Sequence, residues 1–408
     1  MRVLIAALGS RGDVAPFVGL GDRLVGAGHE VTVAAHAEFE PLVRSAGLGF
    51  ACLAGDARSI ADFPRGWRTS PRFLADQARR LTRYLAAAAV DLLEAARQAD
   101  VLLLNVTAMF GYEIADGLGI PSMGVHSQPV EPTGDFPPML FHSARSLGPT
   151  GNRIAGRVAL ASITPYHRAA ERVRAELGLA PRSFRARARQ RRSERRLVLH
   201  GYSAHVLPRP ADWRPGLEVV GYWPAPQPPG WTAPPELVDF LDAGPAPVFV
   251  GFGSMASGQD GWLSDVVATA LRRAGGRAVV QAGWAGLEGA GPDVLVVGDV
   301  PHSWLFPRMA AVVHHGGAGT AGAAFLAGTP SVAVPVYADQ PLWGERIRAL
   351  GAGPPPLPFA ALTADALAER IRDLRSGRYR ATAAALGGLV RAEDGAARVI
   401  EALDRLPG

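Results

Sequence analysis

The stretch VVHHGGAGTAGAAFLAGTPSVAVPVYADQPLWG, from Val312 to Gly344, decides the fold of this chain. Its β-branched start leads into two histidines and a run of glycines, and Thr320 then opens an alanine-rich helical segment. A strand, a tight turn and a helix N-terminus in this order leave backbone N–H groups unpaired at the positive end of the helix dipole. Glycines without a Cβ atom let an anion approach those groups closely. The turn therefore predicts a phosphate site, and a diphosphate would fit it.

A second unit of the same kind follows at once. The segment Ser331–Pro335 (SVAVP) is typical of the next buried strand, and Asp339 and Gln340 stand just past its end, where another helix begins. Loops at the carboxyl ends of parallel strands line the ligand crevice of such sheets. A carboxylate and an amide together accept and donate hydrogen bonds. This pair therefore predicts a site for neighbouring hydroxyl groups next to the anion site.

The composition indicates a two-domain protein of a reducing compartment. A chain of 408 residues is long for one hydrophobic core, and 48% of it is apolar, enough to fill two. Cys52 is the only cysteine, which excludes an internal disulfide and a cysteine-based zinc site. The N-terminal apolar run is too short and strand-like for a signal peptide, and no apolar run has the length of a membrane span. We therefore expect a soluble protein of the cytoplasm.

One segment makes the chain basic. Arg182–Arg196 holds eight arginines and one glutamate, a net charge of +7, whereas the whole chain carries +5. The segment predicts either a weak contact with an anionic membrane surface or acidic acceptor, or a solvated connection between elements. It has neither interleaved aromatic residues nor a nucleic-acid-binding motif, so we expect no nucleic acid as a partner.

Apolar runs alternate with helical patterns along both halves of the chain. Arg2–Leu8 and Glu30–Ala35 predict the first two parallel strands, and this βαβ alternation is typical of doubly wound sheets. The segment Ser127–Leu140 is too rich in proline and glycine for regular structure, and its apolar residues predict an acceptor-binding loop. Long helices are predicted over 73–97, 153–177 and 379–406. Further strands are predicted at 50–53, 100–105, 121–126, 248–252, 278–282, 294–297, 312–315 and 331–334.

Several separated motifs resemble one known family. The turn HHGGAGT and the ending DQ-x-x-WG, with Asp299–Val313 (DVPHSWLFPRMAAVV) just upstream, resemble the donor-binding signature of nucleotide-sugar glycosyltransferases with the GT-B fold. Leu8–Phe17 (LGSRGDVAPF) and Val219–Trp223 (VVGYW) extend the resemblance over most of the chain. Within the UDP-glycosyltransferase superfamily, the motifs are most similar to those of the sterol glucosyltransferase-like and bacterial natural-product branch.

The resemblance implies an α/β protein in which two Rossmann-like, doubly wound domains face each other across a cleft. Residues 1–206 would bind the acceptor, and residues 236–385 would bind the nucleotide-sugar donor. Residues 207–235, dense in proline and tryptophan, would form the linker, and residues 386–408 a helix that crosses back to the N-terminal domain. Because the chain has no lysine, it cannot hold pyridoxal phosphate as a Schiff base, which removes the phosphorylases that share this fold.

The resemblance also assigns residues to the donor. His315 aligns with the histidine that contacts the donor diphosphate, whereas strand alternation places His314 in the core. Asp339 and Gln340 match the pair that holds the sugar hydroxyls, which favours a fully hydroxylated hexose such as glucose; helix capping by Asp339 is the alternative. Val300 would lie beside the base. Further donor contacts are expected from Ser10, Arg11, Gly253, Ser254, Gly317, Gly319 and Thr320. Ordinary strand-to-helix turns, with the threonine as an N-cap, are the alternatives.

Asp13 is the candidate general base for an inverting transfer. The turn after the first strand faces the predicted cleft, and the acceptor hydroxyl must lose a proton as its oxygen attacks the anomeric carbon. Plant relatives carry a histidine at the matching place, whereas this chain has aspartate, as bacterial relatives often do. Asp13 would alternatively cap the first helix, where backbone donors lower a carboxyl pKa and weaken the base. His126, which ends the fifth strand, is then the substitute base.

The sequence contains no pattern for a bound metal. No cluster of Asp, Glu and His has metal-ligand spacing, and no acidic pair of the DXD type follows a strand. We therefore expect neither a metal nor another cofactor. Helix N-termini and His315 would stabilise the leaving diphosphate instead.

These patterns predict an inverting glycosyltransferase that moves a hexose, glucose in our expectation, from a UDP- or TDP-linked donor. The acceptor would be a hydroxyl of a hydrophobic small molecule, since polyketide, terpenoid, sterol and lipid aglycones all suit the apolar loop. A nucleotide-sugar epimerase of the same fold and a catalytically inactive nucleotide-sugar-binding helper are the alternatives. The long acceptor loop argues against the first, and the intact donor motif with Asp13 argues against the second.

Overall fold

Two parallel β-sheets form the core of the protein. The computed structural model describes residues 1–58, 71–161, 164–183, 186–187, 189–190, 196–253, 260–283 and 291–406. In these ranges the strands are β1 (Arg2–Ala6), β2 (Glu30–His36), β3 (Gly49–Leu53), β4 (Val101–Leu104), β5 (Ser122–His126), β6 (Val198–His200), β7 (Leu217–Val219), β8 (Val248–Gly251), β9 (Ala278–Gln281), β10 (Val294–Val297), β11 (Ala311–His314) and β12 (Ser331–Ala333). One sheet has the order β3-β2-β1-β4-β5-β6-β7, and the other has the order β10-β9-β8-β11-β12.

Helices connect the strands and cover both sheets. The described α-helices are α1 (Arg11–Gly26), α2 (Glu40–Ser45), α3 (Pro71–Ala96), α4 (Gly111–Leu118), α5 (Gly148–Ala161), α6 (Thr164–Glu176), α7 (Pro235–Asp242), α8 (Asp260–Ala274), α9 (His302–Leu305), α10 (Ala318–Ala327), α11 (Gln340–Ala349), α12 (Ala364–Arg375), α13 (Arg380–Arg391) and α14 (Gly395–Asp404). None of the helices in these ranges combines the length and hydropathy that a bilayer crossing needs.

The strand order explains where ligands can bind. The first strand of each sheet pairs on both sides, β1 with β2 and β4, and β8 with β9 and β11. The chain thus winds in both directions from a central strand, and the carboxyl ends of the two middle strands open a crevice where the winding reverses. The turns after β1 and β11, which were predicted to bind ligand, both lie at such edges. The predicted doubly wound α/β architecture is confirmed.

Three predicted boundaries require correction. Leu217–Val219 lies inside the stretch predicted as a linker, yet it pairs with β6 as the last strand of the first sheet. The surrounding prolines and tryptophans concealed this short strand. The final helix predicted over 379–406 is divided into α13 and α14, because Asp394 leaves helical geometry and its carboxylate caps α14 by accepting the Ala397 N–H at 3.0 Å. Likewise, the helix predicted over 153–177 is described as α5 and α6.

The last helix packs against the first helix of the chain. Val399 and Leu403 of α14 are fully buried in the same apolar cluster as Phe17 and Leu24 of α1. An ion pair of 2.8 Å between Arg23 and Asp394 lies at the edge of this contact. The C-terminal segment therefore ties the end of the chain to the N-terminal sheet.

The described part of the arginine-rich segment is held by acidic partners rather than solvated throughout. The Arg187 side chain is only 4% exposed and contacts the carboxylates of Glu113 and Glu171. Arg174 reaches the other oxygen of Glu113 at 2.7 Å, so one buried carboxylate serves two guanidinium groups. Arg196 pairs with Asp116. Fewer of these charges are available to a membrane surface than the sequence suggested, and membrane contact stays a prediction.

Candidate functional site

Two helix N-termini, one from each sheet, meet at the crevice. A Cβ atom placed on Gly319 in the first turn of α10 would lie 3.4 Å from the carbonyl oxygen of Gly12 in the first turn of α1. The backbone of the two first turns is therefore in near contact across the cleft. The positive ends of both helix dipoles therefore lie near this junction. The arrangement favours an anionic group between the domains.

His315 lies inside the glycine turn where the sequence placed it. A Cβ atom on Gly317 would approach its Nε2 to 2.4 Å, and one on Gly253 would approach its Cε1 to 3.3 Å. The imidazole therefore sits between the glycine turns after β11 and β8. Burial lowers the pKa of His315 to about 4, so the ring is neutral near pH 7 and able to donate one hydrogen bond. Ser254, the predicted neighbour in this turn, lies outside the described residues.

The histidine beside it has a structural role. His314 is fully buried, and its Nδ1 accepts a hydrogen bond of 3.1 Å from the Gly316 N–H. Strand alternation therefore separates the two side chains as expected. Gly317, not Thr320, is the N-cap residue of α10, so the capping role considered for Thr320 does not apply. Val300 is buried in the core against this helix, which leaves only its backbone for a ligand.

An ion pair and a second histidine lie next to the glycine turn. Arg11 forms an ion pair of 2.6 Å with Asp299, which joins the first turn of α1 to the segment before α9 across the cleft. Burial lowers the pKa of His302 to about 3, and the nearby charges of Arg11 and His315 lower it further. His302 therefore lies near both Arg11 and His315. Ser10, the N-cap residue of α1, donates from its backbone N–H and hydroxyl to Asp13 rather than pointing at the glycine turn.

Asp339 and Gln340 are both nearly buried where α11 begins, with 6% and 4% exposure. The Trp343 indole N–H donates to Asp339 Oδ2 at 2.6 Å. Gln340 Oε1 accepts the Val336 and Tyr337 N–H groups at 2.7 and 3.2 Å. The carbonyl end of Gln340 therefore shapes the preceding turn, a local use that the sequence did not suggest.

Burial raises the pKa of Asp339 to about 6, partly opposed by the hydrogen bond from Trp343, and the charge of Asp13 adds to the rise. The folded state then binds a proton more tightly than the unfolded chain, whose aspartate has a pKa near 3.8. Ionised Asp339 therefore lowers the free energy of unfolding above pH 6. This destabilisation disappears below about pH 4, where the carboxyl is protonated in both states.

Asp339→Asn is therefore expected to stabilise the protein at pH 8. The full shift corresponds to about 3 kcal/mol, and the buried amide N–H₂ of asparagine offsets part of it, leaving about 1 kcal/mol. Urea denaturation of both proteins between pH 4 and pH 8 measures the difference. A difference that stays constant over this range would show that Asp339 does not titrate as described.

Asp13 is the third residue of α1 and forms a capping box with Ser10, the N-cap residue. Its Oδ2 accepts the Ser10 N–H at 3.0 Å, and Gln128 Nε2 donates to its Oδ1 at 3.3 Å. The capping alternative is therefore present in the structure. The accompanying expectation of a lowered pKa is wrong, because burial of the carboxylate outweighs these donors and raises the pKa of Asp13. A raised pKa strengthens a carboxylate as a base.

Electrostatic effects show which groups share the cleft with Asp13. Burial raises the pKa of Tyr337, and the charges of Asp13 and Asp339 raise it further. Burial likewise raises the pKa of Tyr166, again with a contribution from Asp13. Asp13 of the first domain and Asp339 of the second thus act on one another and on the same tyrosine. Asp13 and Asp339 therefore lie near one another and near Tyr337.

His126, the substitute base, does not reach this space. It is 1% exposed at the end of β5, where its ring meets that of His200 edge-on at 5.7 Å between centroids. Burial lowers the pKa of His126 well below its usual value, and the charge of His200 lowers it further. Its burial keeps the His126 ring away from an acceptor in the cleft, and its lowered pKa makes it a weak base. The position of His126 at the end of β5 did not indicate that His200 of β6 packs against its ring.

Several residues of the site had been given no role from the sequence. They are Gln128, which holds Asp13; Asp299, which pairs with Arg11; Trp343, which holds Asp339; and His142, whose Nδ1 accepts the Ala338 N–H at 2.6 Å. Gln128 lies in the predicted acceptor loop, and its position two residues after β5 was the available signal. Among the described residues, no group of His, Cys, Asp and Glu side chains could hold a metal ion.

Known proteins match this chain along its whole length. Residues 3–123 match the glycosyltransferase family 28 N-terminal domain, and residues 280–406 match the erythromycin biosynthesis protein CIII-like C-terminal domain. The O-mycaminosyltylonolide 6-deoxyallosyltransferase of Streptomyces fradiae is 36% identical over 97% of this chain and 95% of its own length. The sterol 3-beta-glucosyltransferase UGT80A2 of Arabidopsis thaliana is 32% identical over 98% of this chain. The chain spans 65% of that plant protein and 26% of a Candida albicans sterol 3-beta-glucosyltransferase.

Solved structures agree on the fold. The glycosyltransferase of kitacinnamycin superposes with a TM-score of 0.71 at 20% identity, covering 100% of this chain and 99% of its own. The spinosyn rhamnosyltransferase SpnG, complexed with thymidine diphosphate, superposes with a TM-score of 0.65 at 22% identity, covering 99% of this chain and 100% of its own. At such identities the likeness speaks for the fold alone. Together with the sequence relatives, it confirms the expected family: the chain belongs to the GT-B glycosyltransferases.

Proposed function

We propose that this protein transfers a hexose from a nucleoside diphosphate sugar to a hydroxyl of a hydrophobic small molecule, with inversion at the anomeric carbon. The observation that carries the proposal is the pairing of two walls in one cleft. Asp13 with the N-terminus of α1 stands on one wall, and Asp339 with the glycine turn and the N-terminus of α10 stands on the other. This geometry would place the base, the sugar and the diphosphate next to one another in that order.

The proposed step needs no group beyond these. The acceptor oxygen attacks the anomeric carbon while its proton passes to Asp13, and the bond between that carbon and the diphosphate oxygen breaks. The leaving diphosphate takes the electron pair of the broken bond, and its charge meets the helix N-termini and a hydrogen bond from His315. Asp13 later returns the proton to solvent. We infer that no metal ion takes part.

The names of the relatives point to different donor sugars. We propose glucose as the sugar, in keeping with the names of the sterol relatives and with the carboxylate and amide at the sugar site. The Streptomyces fradiae relative is named for a deoxyallosyl group, which favours a TDP-linked deoxysugar as the second candidate. For the acceptor we propose a hydrophobic aglycone of the sterol, terpenoid, polyketide or lipid type.

Thermal-shift binding tests this proposal first. UDP, TDP, ADP and the glucose conjugates of UDP and TDP are compared in excess chelator, because a ligand that favours the folded state raises the melting temperature. We expect a shift with UDP-glucose or TDP-glucose and little with ADP, followed by unchanged transfer to hydrophobic alcohols in chelator. Absence of any shift would contradict donor binding, and transfer that requires added magnesium would contradict the metal-free step.

An epimerase and an inactive binder give other results in the same assay. An epimerase would convert the free nucleotide sugar without an acceptor, which chromatography of the donor detects. An inactive binder would show the shift but neither transfer nor slow donor hydrolysis.

A further inference from the structure

The turn before Asp339 is completed by a residue of the other domain. Its three successive N–H groups all have partners: those of Val336 and Tyr337 donate to Gln340 Oε1, and that of Ala338 donates to His142 Nδ1 at 2.6 Å. Gln340 belongs to the turn's own domain, whereas His142 stands 196 positions earlier, just beyond the predicted acceptor loop. The acceptor side of the protein thus supplies one of the bonds that shape the sugar side.

Both partners of this bond have an unusual backbone. His142 has φ 52° and Ala338 has φ 54°, and in the described part of the chain they are the residues other than glycine with positive φ. Side chains disfavour this left-handed region, so such conformations persist where surrounding contacts enforce them. Here one hydrogen bond joins the two residues that have this backbone.

The contact also reaches the groups of the proposed reaction. The His142 ring meets the Tyr337 ring edge-on, with 6.5 Å between centroids. Tyr337 lies within the electrostatic reach of both Asp13 and Asp339. A displacement of His142 would therefore move a turn that leads directly into Asp339 and Gln340, next to the proposed base.

We propose that His142 is a positioning residue for the donor sugar, and that it couples the acceptor segment to the sugar-binding turn. The inference rests on the proposed function, because it assumes that Asp339 and Gln340 hold the sugar. Acceptance at Nδ1 requires a neutral ring with its proton on Nε2. His142 acts through the Ala338 backbone, and it contributes to the sugar contacts rather than to those of the nucleotide.

Two substitutions separate the hydrogen bond from the backbone strain. His142→Gly removes the acceptor atom while glycine tolerates the left-handed backbone without strain. His142→Asn keeps an acceptor oxygen and also tolerates this conformation. His205→Gly, at an exposed histidine of the same domain, serves as the matched control. Calorimetry of UDP, TDP and their glucose conjugates gives the affinities, and steady-state kinetics gives kcat and KM for the donor.

The expected result is a loss confined to the sugar. His142→Gly should weaken binding of the nucleotide sugar about tenfold and raise its KM to match, while the affinity for the nucleoside diphosphate changes less than about twofold. His142→Asn should recover most of the loss, and His205→Gly should behave as the unchanged protein.

Three outcomes would overturn the inference. In the first, the His142→Gly variant binds the nucleotide sugar as tightly as the unchanged protein does. In the second, the variant loses as much affinity for the nucleoside diphosphate as for the nucleotide sugar. In the third, a folded His142→Asn variant binds the nucleotide sugar no better than His142→Gly does. If the unchanged protein binds none of these nucleotides, the proposed function itself fails, and that result is distinct from all three.

Discussion

Asp13→Asn is expected to lower kcat by a factor of about 10² to 10⁴ while donor affinity stays nearly unchanged. Asparagine has the shape of aspartate, and its Oδ1 can still accept the Ser10 N–H that caps α1. It cannot take a proton from the acceptor oxygen. Since burial raises the pKa of Asp13 despite its hydrogen bonds, the carboxylate is a stronger base than an ordinary helix cap.

The matched control for this variant is Asp22→Asn, at an exposed aspartate of the same helix. The control should retain full activity, and both variants should melt within a few degrees of the unchanged protein. Turnover of a folded Asp13→Asn variant at more than about a tenth of the normal rate would eliminate Asp13 as the base. Asp13 would then contribute only to the stability of α1, through its capping hydrogen bonds.

Gly317→Ala is expected to weaken nucleoside diphosphate binding about 100-fold. Its backbone, with φ −63° and ψ 148°, is open to alanine, so conformational strain does not enter. The added Cβ atom would lie 2.4 Å from His315 Nε2, which forces the imidazole out of the turn. The loss of one hydrogen bond to a charged group and of close approach to the backbone amounts to about 2.7 kcal/mol.

Gly388→Ala provides the control, because a Cβ atom at this helical position of α13 meets nothing within 4 Å. It should leave binding unchanged and slightly raise stability. Calorimetric titration of all three proteins with UDP and TDP measures the effect. Normal affinity of the Gly317→Ala variant would mean that the diphosphate does not bind at this turn. His315→Ala removes the imidazole without adding an atom to the turn. It should weaken nucleoside diphosphate binding less, by about tenfold.

The local parts of the site could be predicted from sequence because they depend on neighbours along the chain. A β-branched run, a glycine turn and a helix start are all written within Val312–Gly344, and the structure places β11, the turn and α10 there. Alternation along a strand likewise sufficed to separate His314 from His315. The capping role of Asp13 was also foreseeable, since the serine that it bonds is three residues away.

Properties that depend on distant contacts were predicted poorly. The direction of the Asp13 pKa shift depends on how deeply the folded chain buries the carboxylate, and the sequence argument counted only local donors. His126 lost its role as a substitute base because β6 and His200 enclose it. Leu217–Val219 became a strand only because β6 was available to pair with it.

The fold class and the position of each turn at a strand's end could be predicted from the sequence, because both follow from periodicity and from residues a few positions apart. The family followed from the resemblance of separated motifs to a known signature. Only the tertiary structure decided which turns face one another across the cleft. The contact between His142 and Ala338, the effect of Asp13 on Asp339 and the ion pair of Arg11 with Asp299 all join residues of opposite domains. Such contacts arise from packing two complete sheets together, and no local pattern encodes them.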